Sequence, residues 1–186
     1  MIIAGIDYSF CSPALCIYDT NKELIFENIK LFNCNNINKK LAGKYGNNII
    51  IDRFPEYSSD EERYRNVCKW VSDILTFHKV EEVSLEGYSF GASSGLVFNI
   101  AENGSLVKQF MSLNNIPFTV PSPSQVKKNF TGKGNAKKPD MIDEFDKRMN
   151  VKINEIIGVK AYSKPLDDIS DSFAVLLCNN YFNKGL

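Results

Sequence analysis

The order of extended and helical segments constrains the fold of this chain more than any other feature. Apolar residues 2–7 predict a buried first strand, and residues 14–18 and 23–29 predict two more, with a turn between these two. The next stretch, residues 33–58, is rich in Asn, Lys and Gly and lacks periodicity, so we expect an irregular excursion in which only 49–51 could form a short strand. The chain therefore begins with an antiparallel meander.

Helices and strands alternate in the rest of the chain. Apolar residues at three- and four-residue steps predict a helix over 60–78, followed by a strand over 80–86. This order is typical of an α/β layer fold, for which we expect a mixed five-stranded sheet with helices on both faces and a single domain over 1–186. The remaining predicted elements are a helix over 96–114, a strand over 116–120, and helices over 125–130, 139–149 and 168–182.

Composition narrows the function classes. A hydrophobic content of 44% argues against disorder. No apolar run reaches the roughly 20 residues of a membrane helix, and no signal-peptide pattern opens the chain, so we expect a cytoplasmic protein with no membrane partner. The net charge is zero, yet residues 103–139 carry six lysines and no acid. Such a local basic stretch is compatible with phosphate binding, although a solvated lysine face would look the same.

Four carboxylates occupy the ends of predicted elements. Asp7 ends the first strand and Glu86 ends the strand after the long helix, while Asp168 and Asp171 open the last helix three residues apart, on one face. If these acids meet, they repel one another unless a cation joins them. With one or two divalent ions they become a site that can cut phosphodiester bonds.

Each acid also has a simpler interpretation. Asp7 could cap a turn, and Glu86 could be an ordinary solvated residue. Asp168 could be the N-cap of the last helix, and Asp171 could interact favourably with the helix dipole in its first turn. Asp167 competes with Asp168 as the first helix ligand, but the residue three positions after it is Ser170, so we choose Asp168.

Four blocks of residues occur in a characteristic order: Gly5-Ile6-Asp7, residues 85–90 (LEGYSF), residues 123–138 (PSQVKKNFTGKGNAKK) and residues 168–174 (DISDSFA). Together they resemble the RuvC family of Holliday junction resolvases, which have the ribonuclease H-like fold. The Asn-, Lys- and Ile-rich composition suggests an AT-rich source, for which we expect a phage-type member. Where the family usually has a Pro-Gly turn after the first aspartate, residues 8–13 (YSFCSP) follow here.

The resemblance implies a metal-dependent endodeoxyribonuclease that leaves a 5′-phosphate and a 3′-hydroxyl. Asp7 would bridge two Mg²⁺ ions, for which Mn²⁺ could substitute, Glu86 would complete one ion's shell, and Asp168 and Asp171 would approach from the last helix. Lys138, or else Lys137, could contact the scissile phosphate. The wider DNA contacts are assigned to Lys127, Lys128 and Lys133, and to the loop aromatics Tyr88 and Phe90, of which Phe90 is expected to stack on unpaired bases.

The expected partner is branched DNA, above all the four-way junction, in the cytoplasm of a bacterium or of a phage-infected host. Two matched nicks in a nearly two-fold symmetric substrate suit a homodimer, and the helix over 96–114 resembles the family's dimer helix. The main alternative is a broader flap or branched-DNA nuclease, or a ribonuclease H-type enzyme, of the same fold. An actin-like ATPase would need glycine-rich phosphate loops, and a non-catalytic DNA-binding module would not need all four acids.

Overall fold

Seven strands form one mixed sheet in the computed structural model, which describes residues 1–9, 11–35, 39–88 and 94–183. The strands are β1 (Ile2–Asp7), β2 (Ala14–Asp19), β3 (Ile29–Asn35), β4 (Gly43–Tyr45), β5 (Ile49–Arg53), β6 (Glu82–Leu85) and β7 (Phe118–Thr119). They lie side by side in the order β4-β5-β3-β2-β1-β6-β7. Strand β1 is central, antiparallel to β2 and parallel to β6.

Seven α-helices of the described residues surround this sheet. The helices are α1 (Asp60–Phe77), α2 (Ser94–Leu113), α3 (Pro123–Thr131), α4 (Lys138–Met149), α5 (Ile153–Ile157), α6 (Leu166–Leu176) and α7 (Asn180–Asn183). None of them combines the length and the hydrophobicity that a membrane span requires.

Local sequence signals explain where the main helices begin and end. The Ser59 hydroxyl accepts a hydrogen bond from the Glu62 N–H at the start of α1. Helix α3 starts with a capping box between Ser122 and Gln125, and it ends at Gly132, whose φ of 79° places it in the left-handed region that favours glycine.

The two faces of the sheet bury two separate apolar cores, because side chains alternate along each strand. On β1, Ala4 and Ile6 face α1 and α2, whereas Ile3 faces the layer formed by α3, α4, α5 and α6. The predicted α/β class, mixed sheet and helices on both faces are therefore confirmed. Because Asp7 follows Ile6, the same alternation turns its side chain toward α6.

The predicted number of five strands is wrong, because the stretch 33–58 contributes β4 and β5. The third strand is also shifted: residues 26–28 form a 3-10 helix, and β3 runs from Ile29 to Asn35. Ile25, which looked like a strand residue, is 38% exposed, whereas the polar Asn33 is fully buried within β3. The prediction from the apolar pattern misplaced this strand, because an asparagine that has hydrogen-bond partners can occupy a core position.

Candidate active site

Two of the predicted acids lie side by side at the ends of neighbouring parallel strands. Ile6 of β1 pairs with Leu85 of β6, and the Glu86 N–H donates to the Ile6 carbonyl at 2.9 Å. Asp7 and Glu86, the next residues, are thus in register, and the charge of Glu86 raises the pKa of the Asp7 carboxyl. Strand pairing alone brings together two acids that are 79 positions apart in the sequence.

Helix α6 brings the other two acids because it packs directly on β1. A Cβ added to Gly5 would lie 2.2 Å from the backbone nitrogen of Leu176 and 2.4 Å from the carbonyl oxygen of Ser172. Only a glycine permits this approach of helix to strand. As a result, Asp168 and Asp171 line the same pocket as Asp7 and Glu86, together with Asp167.

Burial raises the pKa values of all four predicted acids, and repulsion by neighbouring carboxylates adds to this effect for Asp7, Asp168 and Asp171. Burial is the largest cause in each case, and for Asp7 the charges of Glu86, Asp168 and Asp171 add to it. The pKa of Asp171 rises to about 7. The repulsion arises because these carboxylates line one pocket.

Lysines offset part of this negative charge. Lys138 pairs with Asp167, and Lys164 pairs with Asp168 and lies 3.7 Å from Asp167. Burial lowers the pKa of Lys164, but the surrounding carboxylates more than offset this effect, so its pKa is raised and it stays charged. Among the described residues that line the pocket are five carboxylates and two lysines, Lys127 and Lys138. Even with Lys164, which pairs with Asp168, the carboxylates outnumber the lysines and leave an excess of negative charge.

The donor set suits a hard divalent cation, although its side chains do not yet form a coordination shell. Oδ1 of Asp171 and Oδ1 of Asp167 are buried without a hydrogen-bond partner, which is unfavourable unless a cation or a donor reaches them. Among the described residues, no three acidic, histidine or cysteine side chains already surround one point at ligand distances. Metal binding therefore requires the carboxylates to turn toward a common centre.

Sequence reasoning missed Lys164, Ser12 and Asn33. Lys164 lies four residues before Asp168, a spacing typical of helical ion pairs that was readable in the sequence. Ser12 is fully buried and its hydroxyl donates to Oδ2 of Asp168 at 2.7 Å, while the fully buried Asn33 donates to the Ser12 hydroxyl. No local sequence pattern connects Ser12 or Asn33 with Asp168.

Of the predicted DNA-binding lysines, Lys127 and Lys138 line the pocket, and the other three are exposed. Lys127 of α3 lines it, and Lys128 and Lys133 are exposed on the same helix and on the loop that follows it. Lys137 is exposed at the start of α4, where its backbone N–H donates to Asp140. Their placement is compatible with a nucleic-acid backbone that runs over the acids.

Of the two residues predicted to stack on bases, the structure describes only Tyr88. The Tyr88 hydroxyl accepts a hydrogen bond from Lys108 at 3.0 Å, and its ring packs against Gly104 of α2. Tyr88 thus contacts α2 in this structure instead of extending into solvent. Phe90 lies outside the described residues, so the preference for it as the inserted aromatic stays a prediction.

Comparisons with known proteins agree with this geometry. The family described as "Crossover junction endodeoxyribonuclease RuvC" matches residues 50–179, a range that includes Glu86, Asp168 and Asp171. The RuvC endonuclease of Ehrlichia chaffeensis is 30% identical over 123 residues, which are 66% of this chain and 72% of that protein.

Two solved structures show the same fold. Thermus thermophilus RuvC has a TM-score of 0.62 and 19% identity, with 99% of this chain and 96% of that chain covered. The same protein in complex with a Holliday junction substrate has a TM-score of 0.61 and 18% identity, with 99% and 95% covered. On the strength of the family match and the bacterial relative, this chain belongs to the RuvC family of crossover junction endodeoxyribonucleases.

Proposed function

We propose that this endodeoxyribonuclease resolves Holliday junctions by paired symmetric nicks at two copies of the pocket between β1, β6 and α6. The observation that carries the proposal is the convergence of Asp7, Glu86, Asp168 and Asp171 on one face of the sheet. Family membership supports the nuclease over the actin-like ATPase and over the non-catalytic module. We treat residues 1–186 as one nuclease domain.

Two Mg²⁺ ions are the proposed cofactors, with Mn²⁺ as a substitute. Asp7, Glu86, Asp168 and Asp171 would hold them through oxygen ligands, which Mg²⁺ prefers. Bound ions of this kind activate a water molecule and stabilise the leaving oxygen of an in-line displacement. The partly buried pocket and its excess of negative charge support this assignment.

The lysines have separate proposed tasks. Lys138 is exposed at its tip and pairs with Asp167, so it can exchange this partner for the scissile phosphate and offset charge in the transition state. Lys127, Lys128, Lys133 and Lys137 would follow the DNA backbone, which makes binding salt-dependent.

The proposed partner arrangement is a homodimer on a four-way junction. Thermus thermophilus RuvC has been solved with such a substrate, and the shared fold supports the same kind of partner here. Helix α2 is the proposed dimer helix: it buries Val107 and Met111 in the core, yet leaves Phe98 71% and Leu113 75% exposed. Large exposed apolar side chains on a helix favour a second contact surface.

Cleavage of matched substrates tests the proposed function. We expect wild-type protein with Mg²⁺ to make paired, symmetric nicks in a synthetic four-way junction, and to cut a flap, a nicked duplex or an RNA/DNA hybrid of the same sequence much more slowly. The products are resolved on denaturing gels with each strand labelled in turn. Comparable cleavage of the flap or the hybrid would favour the broader branched-DNA nuclease or the ribonuclease H-type enzyme instead.

The pH dependence of stability reports on the carboxylate cluster. The pKa of Asp171 rises from 3.8 to about 7 on folding, so the folded state binds this proton more tightly than the unfolded state. The resulting stabilisation is full below about pH 4 and is lost as the pH rises through about 7. We therefore expect the melting temperature of metal-free protein to fall between these pH values, relative to Asp171→Asn, and Mg²⁺ to raise it more at pH 8 than at pH 5.5. Equal Mg²⁺ stabilisation at both pH values would contradict the proposed ligand set.

Lys164 competes with metal for Asp168, because its ammonium pairs with Oδ1 of that carboxylate. Replacement by glutamine removes this competitor, so Lys164→Gln should need about fivefold less Mg²⁺ for half-maximal cleavage, equivalent to about 1 kcal/mol for a partly exposed ion pair. Lys152→Gln is the matched control, since Lys152 lies 3.7 Å from the buried Asp146 outside this pocket. A higher Mg²⁺ requirement in Lys164→Gln would instead show that this lysine promotes metal binding.

A further inference from the structure

Asp168 is held at both of its carboxylate oxygens, unlike Asp171, whose Oδ1 has no partner. Lys164 donates to Oδ1 of Asp168, and the Ser12 hydroxyl donates to Oδ2 at 2.7 Å. Ser12 belongs to the turn between β1 and β2, and it lies 156 positions from Asp168 in the sequence. The first hairpin of the chain therefore contacts the last catalytic element directly.

The amide of Asn33 determines the direction of this hydrogen bond. Its Nδ2 lies 3.0 Å from the Ser12 hydroxyl oxygen, 3.2 Å from the Pro13 carbonyl and 3.4 Å from the Ser12 carbonyl. Carbonyl oxygens only accept hydrogen bonds, so the NH₂ group of Asn33, not its oxygen, must face them. This NH₂ group has two hydrogens, and its shortest contact is with the Ser12 hydroxyl oxygen, which accepts one of them. The single proton of the Ser12 hydroxyl is donated to Asp168.

Burial shields the hydrogen bonds of Ser12 and Asn33 from water. Ser12 and Asn33 are both fully buried, so water cannot replace either hydrogen bond. The Pro13 carbonyl also accepts the Cys34 N–H at 2.9 Å, which ties the turn to β3 and limits its movement. A carboxylate with one oxygen engaged in this way keeps its orientation when its other oxygen changes partner.

We propose that Ser12, oriented by Asn33, is a positioning residue that holds Oδ2 of Asp168 so that Oδ1 alone is offered to the metal. Neither residue touches the metal or the DNA in this proposal. Partners of metal-ligating carboxylates fix the orientation of the ligand, and their loss weakens metal binding. The inference rests on the proposed function only in that Asp168 is a metal ligand.

Direct binding of Mn²⁺, measured by electron paramagnetic resonance without DNA, tests the proposal. We expect Ser12→Ala to weaken Mn²⁺ binding by about 10- to 100-fold, while circular dichroism shows a folded protein at the assay temperature. Ser84→Ala is the matched control: Ser84 of β6 is as fully buried as Ser12, and its hydroxyl forms a hydrogen bond of 3.0 Å with Thr119 instead of with an acid. It should bind Mn²⁺ as tightly as wild type.

A second variant tests whether Asn33 acts on Asp168 through Ser12. Asn33→Ala keeps the Ser12 hydroxyl but removes the group that orients it, so it should weaken Mn²⁺ binding less than Ser12→Ala does. Because the two residues act in series, the Ser12→Ala/Asn33→Ala double variant should bind Mn²⁺ no more weakly than Ser12→Ala alone. If Ser12→Ala does not fold, Asn33→Ala against Ser84→Ala decides by the same measurement.

The outcomes separate the two proposals. Wild-type protein that binds no Mn²⁺ overturns the proposed metal site, and the positioning role falls with it. Wild-type binding together with unchanged binding in Ser12→Ala overturns the positioning role alone. Multiplicative losses in the double variant, or an equal loss in Ser84→Ala, would show a general effect on the fold instead of an oriented contact.

Discussion

Asp7→Asn should abolish cleavage of a four-way junction while leaving the binding of that junction intact. Asp7 lies at the end of the central strand and interacts with Glu86, Asp168 and Asp171. An amide there removes the charge that a bridging ligand supplies, so several kcal/mol of metal-derived stabilisation of the transition state are lost. We expect the cleavage rate to fall by about a thousandfold or more.

The variant is informative because it should not harm folding. Burial and neighbouring acids raise the pKa of Asp7, so an uncharged side chain relieves repulsion in the metal-free protein, and the melting temperature should not fall. Gel-shift assays in Ca²⁺ measure binding, and single-turnover assays in Mg²⁺ measure cleavage. Asp19→Asn is the control, since Asp19 ends β2 opposite Ile2, at the other end of β1. Undiminished cleavage by Asp7→Asn would reject the metal-site assignment.

Gly5→Ala should have the largest effect on stability. The new methyl group would lie 2.2 Å from the Leu176 nitrogen and 2.4 Å from the Ser172 carbonyl oxygen, and both are backbone atoms that cannot rotate away. Helix α6 would have to move off β1. We expect the free energy of unfolding to fall by about 3 kcal/mol or more, as for severe overpacking of a core.

Activity should fall together with stability in Gly5→Ala, because α6 carries Asp168 and Asp171. Chemical denaturation and junction cleavage below the melting temperature measure the two effects. Gly43→Ala is the control, because a Cβ on Gly43 meets no atom within 4 Å. Wild-type stability and cleavage in Gly5→Ala would mean that the close approach of α6 to β1 is not needed for the site.

Local patterns predicted the elements that carry the acids. Asp7 follows an unbroken apolar stretch, and Glu86 follows a short strand in which apolar and polar residues alternate. The three-residue spacing of Asp168 and Asp171 is visible in the sequence without any tertiary information. Helix α1, predicted over 60–78, was placed to within one residue because its apolar stripe runs along nearly its whole length. The third strand was misplaced because the apolar Ile25 is exposed and the polar Asn33 is buried, an inversion that only tertiary packing explains.

The sequence by itself indicated the α/β class, the four candidate acids and the resemblance to resolvases, because strand ends, helix caps and charge spacing are properties of neighbouring residues. Only the tertiary structure decided which groups hold those acids. Ser12 of the first hairpin holds Asp168, and Gly5 determines how closely α6 approaches the sheet. Contacts between residues more than a hundred positions apart depend on how the layers pack, and no local pattern encodes them.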